Sequence, residues 1–292
     1  ENPLAARVTV NRHWQAFFGR GIVRTTEDFG YQGDPPTNPE LLDWLAVEFM
    51  ENGWSQKKLH KLIAMSATYR QSSRITPELL AKDPENKLLA RGPRVRLDAE
   101  QLRDSLLKVS GLLSTKLGGP SVFPPQPAGA ADGTYAAGPW KVSAGEDRYR
   151  RGLYTFTKRT APFALTSTFD GPSGESCLAR REVSNTPLQA LTVMNDVMLT
   201  DFTQALARRA FEHKGSVEQK LTFLFRLCLV RSPKVDQLPL LVKFFEEQRK
   251  QFAMVEKRAV SVAGEGKDAA ERAAWAAVAR TIVNLDEFIT KE

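Results

Sequence analysis

Helix-start signals recur along this chain, each followed by apolar residues at helical spacing, and that combination restricts it to a multi-helical fold. Asn2-Pro3 and Asn38-Pro39 each place an N-cap residue before a proline at the first helical position, where the missing N–H costs nothing. Val10, Trp14, Phe17 and Phe18 follow the first, and Gly19 closes the segment. Leu41, Leu42, Leu45 and Phe49 follow the second, which ends near Gly53. Ser55 precedes a third stripe of Leu59, Leu62, Ile63 and Tyr69, and Asp98 with Gln101 has capping-box spacing ahead of Leu102, Leu106 and Val109. Thr186-Pro187-Leu188-Gln189 joins an N-cap, a proline and a capping-box glutamine, and predicts a helix running to about Glu212. Ser216 with Gln219 opens another, through Leu221, Leu224, Phe225 and Cys228. A long polar helix is predicted over 235–257, a hinge at Gly264 to Gly266, and a last helix over 269–288 carrying Trp275, Val278, Ile282 and Leu285. The same periodicity puts Trp14, Trp44 and Trp275 on buried faces and leaves Trp140 more exposed.

Between Ser114 and Arg150 the pattern breaks. Gly118, Gly119, Pro120, Pro124, Pro125, Pro127, Gly129, Gly133, Gly138 and Pro139 interrupt any periodic element, as expected of a functional loop or a mobile segment. The β-branched and aromatic run from Gly152 to Arg159 then predicts a short strand. The expected fold is therefore mainly α, a multi-helical globule with a small β element and a long irregular Gly/Pro-rich middle section. Residues 1–292 are expected to form a single domain, with sub-lobes 1–113 and 184–292 joined by the irregular section 114–183.

Composition narrows the function classes. Hydrophobic residues are 42% and charged residues 26%, which suits a folded globule rather than a disordered chain. No apolar run approaches the ~18 residues that span a bilayer. The chain starts at Glu1 with no charged-then-apolar leader, as expected of a segment from a longer parent. Cys177 and Cys228 are read as two reduced, partly buried thiols rather than a disulfide. The net charge of +7 comes from 41 basic and 34 acidic residues with no long Lys/Arg tract, so most of it is compensated. Nucleic-acid binding rests only on that charge and on interleaved aromatic residues.

No familiar catalytic apparatus is assembled. Asp28-Phe29-Gly30 matches the metal-binding triplet of protein kinases, but the phosphate loop, strand lysine and catalytic loop that must accompany it are missing. His13, His60 and His213 form no local metal pair, and a structural or surface role is expected of them. Without a CxxCH segment the chain cannot attach a c-type haem, so no cofactor and no metal are expected on it. Gly171 to Ser176 is not a nucleophile elbow.

The arginine-rich centre is the more suggestive constellation. Arg148, Arg150, Arg151, Lys158, Arg159, Arg180 and Arg181 alternate with Tyr149, Tyr154 and Phe156, and Asp170, Glu175 and Glu182 lie in the same stretch. Guanidinium groups take up carboxylate, sulfate or phosphate through paired donors, and aromatic faces stack on sugars. Arg148, Arg150, Arg151, Tyr154, Arg159, Asp170, Arg180 and Arg181 are the candidate ligand-binding residues. The competing expectation is an internal network of arginine–carboxylate pairs that pins irregular loops to helices.

These blocks, in order, resemble one family. NRHWQAFFGRG, PELLDWLAVEF, SATYRQSS, RLDAEQLRDSLL, GGPSVFPPQP, RGLYTFTKRTAP, FDGPSGESC, SNTPLQALTVMND and ARTIVNLDEF are similar to the planctomycete-specific PSD-one domain, a family of unknown function. The resemblance implies a C-terminal position in large exported proteins, behind a second planctomycete-specific domain and often a c-type cytochrome domain with its own haem. It also implies an extracytoplasmic location, either periplasmic or secreted, and a link to polysaccharide use. It brings no catalytic residues to carry over. The expected function is a non-catalytic module that binds an anionic or sugar ligand, such as an acidic glycan, or docks an upstream domain of its parent. The alternative is a glycan-active hydrolase or oxidoreductase using carboxylates near Asp170 and Glu175.

Overall fold

The computed structural model describes residues 2–127, 129–130, 140–158 and 160–291. The chain is mainly α, with thirteen α-helices and one two-stranded sheet among the described residues. It divides into two compact units: Glu1–Arg96 with Leu178–Arg180 and Thr290–Glu292, and Leu97–Cys177 with Arg181–Ile289. The irregular middle section thus belongs for the most part to the second unit.

The first unit holds α1 (Pro3–Phe18), α2 (Pro39–Glu51), α3 (Gln56–Met65) and α4 (Pro77–Lys82), and an antiparallel pair of β1 (Val95–Arg96) with β2 (Thr290–Lys291). Asn2 caps α1 by accepting from the Leu4 N–H at 3.0 Å, and Gly19 ends it at φ +76°, a conformation that a side chain would oppose. Val10, Trp14, Phe18, Leu42, Leu45, Phe49, Leu59 and Ile63 form the core. Buried Asn11 pins the following loop, donating to Val23 O at 2.9 Å and accepting from Val23 N at 2.8 Å. Trp44 departs from expectation: it is 50% exposed. The buried stripe of α2 is Leu42, Leu45, Ala46 and Phe49, and Trp44 lies some 200° around the helix from Leu42.

The second unit holds α5 (Ala99–Ser110), α6 (Ala164–Thr168), α7 (Pro187–Asn195), α8 (Val197–Glu212), α9 (Val217–Leu229), α10 (Gln237–Met254), α11 (Glu256–Ala263), α12 (Ala269–Val283) and α13 (Asp286–Ile289). Its centre is α12, which packs on α8, α10 and α11 and buries Ala273, Ala274, Trp275, Ala276, Val278, Ala279, Ile282 and Val283. Small residues around most of its circumference let three neighbours approach. Trp275 fills the remaining space, its ring 4.2 Å from that of Phe245 and its N–H donating to Glu271.

The capping box at Thr186 is present. Thr186 Oγ1 accepts from the Gln189 N–H at 3.4 Å, and Gln189 Oε1 accepts from the Thr186 N–H at 3.5 Å. Thr186→Ala is expected to lower unfolding free energy by ~1 kcal/mol, and an unchanged denaturant midpoint would show that this cap contributes nothing. The single helix expected from Thr186 to Glu212 is two. Asp196 adopts an extended conformation and recaps, accepting from the Met198 N–H at 2.8 Å. The long polar helix likewise breaks at Val255, between α10 and α11.

The expected strand over Gly152 to Arg159 is also corrected. Gly152–Tyr154 is a 3₁₀ turn, and Thr155 makes an isolated parallel bridge to Val122. The ladder cannot lengthen, because Val122 lies between Pro120 and Pro124-Pro125, which have no N–H to donate. Trp140 is half-buried, less exposed than Trp44: its N–H donates to Pro124 O at 2.7 Å and its face stacks on Phe163.

Candidate functional site

The most elaborated concavity among the described residues of the second unit is a cleft of about 420 Å³ beside the start of α5. Its floor is set by helix geometry. Asp98 opens the capping box, with Gln101 Oε1 accepting from the Asp98 N–H at 3.1 Å, so Glu100, Gln101 and Asp104 emerge within one turn on one side of α5. The opposite wall is the irregular segment from Arg151 to Thr157. Gly152 allows that approach, since a Cβ there would lie 2.8 Å from Glu100 Cα.

Each carboxylate has a cationic partner. Arg181 grips Glu100 as a fork, donating to Oε2 at 2.6 Å and Oε1 at 2.9 Å, with Asp98 3.7 Å away. Asp104 accepts from Arg151 Nε at 2.8 Å and from the Gly152 N–H at 2.6 Å. Burial holds the Asp98 carboxyl above its usual range, with Arg181 opposing and Glu100 adding. Burial would raise Glu100 as well, but the hydrogen bonds and charge of Arg181 outweigh it and hold Glu100 below its usual range. Hydrogen bonding to Glu100 raises Arg181, and hydrogen bonding to Asp104 raises Arg151, so both stay charged. An apolar face adjoins these groups: Phe156 is 37% exposed and Leu153 72%.

The sequence-predicted arginines occupy several settings. Arg148 is paired with Asp201, at 2.9 Å from Nε and 2.5 Å from Nη2. Arg150 is 1% exposed and donates to the carbonyls of Lys116, Gly118 and Pro120 at 3.2, 2.5 and 3.2 Å. Its guanidinium lies 3.7 Å from the centre of the Tyr154 ring, and Tyr154 Oη accepts from the Gly118 N–H at 2.9 Å. Both residues therefore anchor the Gly/Pro-rich section. Among the described arginines, only Arg151 and Arg181 line the cleft. Arg180 is exposed and belongs to the first unit, and Arg159 lies outside the described residues. Asp170 sits at φ +55° and accepts from Ser184 N and Oγ, both at 2.7 Å, which fixes the turn before α7. Glu175 is exposed.

Several participants are not visible as such in the sequence. Glu100 and Asp104 carry a faint signal, their i,i+4 spacing after a cap. Arg103, 1% exposed, donates to the carbonyls of Arg148 and Arg150 at 3.0 and 3.3 Å and so positions the wall of the cleft; burial pushes its pKa down to about 10. In the first unit His13 Nδ1 and His60 Nε2 are 3.0 Å apart, a pairing across 47 residues that no local motif announces. Burial, with the charge of His60, lowers the His13 pKa. Cys177 is exposed and Cys228 is a free thiol pushed up to about 12 by burial. Among the described residues no group of three or more His, Cys, Asp or Glu side chains converges as a metal site, and no helix is long and apolar enough to cross a membrane.

A family model, PSD1, described as a protein of unknown function (DUF1553), matches residues 1–245. No curated protein and no solved structure matches the chain.

Proposed function

The chain belongs to the PSD1 family of proteins of unknown function, and we propose that it is a ligand-binding module whose cleft beside α5 takes a polyhydroxylated ligand such as a glycan segment. The observation that carries this reading is the set of carboxylates held rigid by their own arginines next to exposed Phe156. A carboxylate bound by guanidinium keeps lone pairs that accept from sugar hydroxyls, and an aromatic ring supplies a face for the C–H side of a sugar. Arg151 and Arg181 are already neutralised by Asp104 and Glu100, so an uncharged glycan suits the cleft better than an acidic one. The exported, cytochrome-associated parent and the link to polysaccharide use that the resemblance implies belong to the same proposal.

The test is calorimetric titration with neutral oligosaccharides and with uronic-acid or sulfated ones. Neutral oligosaccharides should bind with little salt dependence, and Phe156→Ala should weaken them about tenfold, or ~1.4 kcal/mol. Binding confined to acidic oligosaccharides and abolished by salt would restore an anion-binding surface. No binding of any oligosaccharide by folded protein would favour docking of an upstream domain instead.

A second reading rests on the opposite shifts of Asp98 and Glu100. One carboxyl kept protonated to higher pH beside one kept ionised is the arrangement used for acid–base work. Product release from a bound glycan would support that reading, and Asp98→Asn would then abolish turnover while sparing binding.

A further inference from the structure

On the second unit, formed by residues other than those of the cleft, lies a cavity of about 400 Å³ between α7, α10, α11 and α12. Pockets of this size, roughly 300–1,000 Å³, hold small molecules. Met194, Phe244 and Phe252 supply apolar walls, and Arg258, Arg280 and Asn284 are polar groups set among them. No acidic side chain lines it. Apart from Met194 and Phe244, these residues lie beyond the stretch that the family model matches.

Arg280 is the unusual member. It is half-buried, its Nε has no hydrogen-bond partner, and its guanidinium makes no ion pair with any described residue. The other buried arginines of this unit have partners elsewhere on the guanidinium, although Nε of Arg103 and of Arg150 is likewise without one. Arg103 and Arg150 donate to carbonyls, and half-buried Arg148 and Arg181 hold carboxylates. One helical turn on, Asn284 Oδ1 is also buried without a partner. Desolvating a cation without a compensating contact is unfavourable, and burial accordingly lowers the Arg280 pKa. A guanidinium without a carboxylate partner at the wall of an apolar cavity is suited to a ligand that supplies one.

We infer that this cavity is a binding site for a small carboxylate with an apolar body, its carboxylate on Arg280 and its apolar part against Met194, Phe244 and Phe252. Arg258, exposed at the rim with its guanidinium 5.7 Å from the centre of the Phe252 ring, adds positive charge at the entrance. A guanidinium takes carboxylate through two parallel N–H donors, and the apolar walls select against hydrated inorganic anions.

Phenylacetate, its uncharged analogue 2-phenylethanol and inorganic phosphate are suitable probes, followed by calorimetry and by the NMR methyl signals of Val262 and Thr281. Phenylacetate should bind saturably and shift those signals, at least tenfold more tightly than 2-phenylethanol or phosphate. Arg280→Met keeps the aliphatic stem and removes the unmatched charge. It should weaken phenylacetate at least tenfold while leaving the unfolding midpoint unchanged or higher. Arg258→Met should weaken it less. If Arg280→Met fails to fold, the ratio of phenylacetate to 2-phenylethanol in the wild type decides alone. Equal binding of those two probes, unaltered binding by a folded Arg280→Met, tighter binding of phosphate, or no saturable binding would each overturn the inference. None of these outcomes bears on oligosaccharide binding at the cleft, so the two proposals fail separately.

Discussion

Arg150→Ala should lower the unfolding free energy by about 3 kcal/mol with no ligand present, measured by urea denaturation. The substitution removes a fully buried guanidinium and leaves the carbonyls of Lys116, Gly118 and Pro120 without their donor. Hydrogen bonds from a charged donor contribute ~1.5–3 kcal/mol, and the stacking on Tyr154 adds ~0.5–2 kcal/mol. Water that reaches the released carbonyls returns part of that sum. The loss should fall mainly on the Gly/Pro-rich section, so hydrogen exchange should accelerate at the amides of Gly118 and Val122, which donate to Tyr154 Oη and Tyr154 O. Arg150→Lys should recover little, because one ammonium cannot span three carbonyls. A loss below about 1 kcal/mol would show that Arg150 is not the anchor of this section, and would make it available for a ligand.

Trp275→Ala should be larger still, at about 4 kcal/mol. The residue is fully buried at the middle of α12, and none of its neighbours on that helix is large enough to fill the space. Phe245 loses its ring partner, and Ala274, Ala276 and Ala279 offer no side chain that could swing inward. Trp275→Phe should lose roughly half as much, since one ring of the indole is retained. The first unit's core does not contain Trp275, so the amide signals of Trp14 and Leu45 should persist in the variant where those of α8 and α10 broaden. Broadening throughout both units at the same denaturant concentration would mean that they unfold as one.

The sequence by itself determined the longer helices, because their signals are local; α4 and α6, of six and five residues, are too short to show a periodic stripe and were not read from it. Asn2, Ser55, Thr186, Ser216 and Gly19 act on backbone groups within four residues, so the cap and its consequence are read from one short window. Apolar spacing was informative where a helix buries one face, as with Val10, Trp14 and Phe18, although Leu62 in the stripe read for α3 is 37% exposed. It misplaced Trp44, whose apolar neighbours alone do not reveal which stripe faces the core. It also missed the breaks at Asp196 and Val255, where the chain must turn to pack although its pattern continues.

The site was legible only in part. Density of arginine between Arg148 and Arg181 marked a region that is indeed rich in charge pairs, but the sequence could not say what each guanidinium meets. Arg148 finds Asp201, Arg181 finds Glu100 and Arg150 finds three carbonyls, at separations from 30 to 81 residues. Such pairings are set by how helices and loops are brought together, and no periodicity encodes them. For the same reason Arg280 and Asn284 read as ordinary positions on the last helix, and only packing against α7, α10 and α11 leaves them without partners beside an apolar cavity. Capping and amphipathic spacing operate over a single helical turn, and so fixed what each segment becomes. The partner of each charge depends on which distant segments share an interior, and tertiary structure alone decided that.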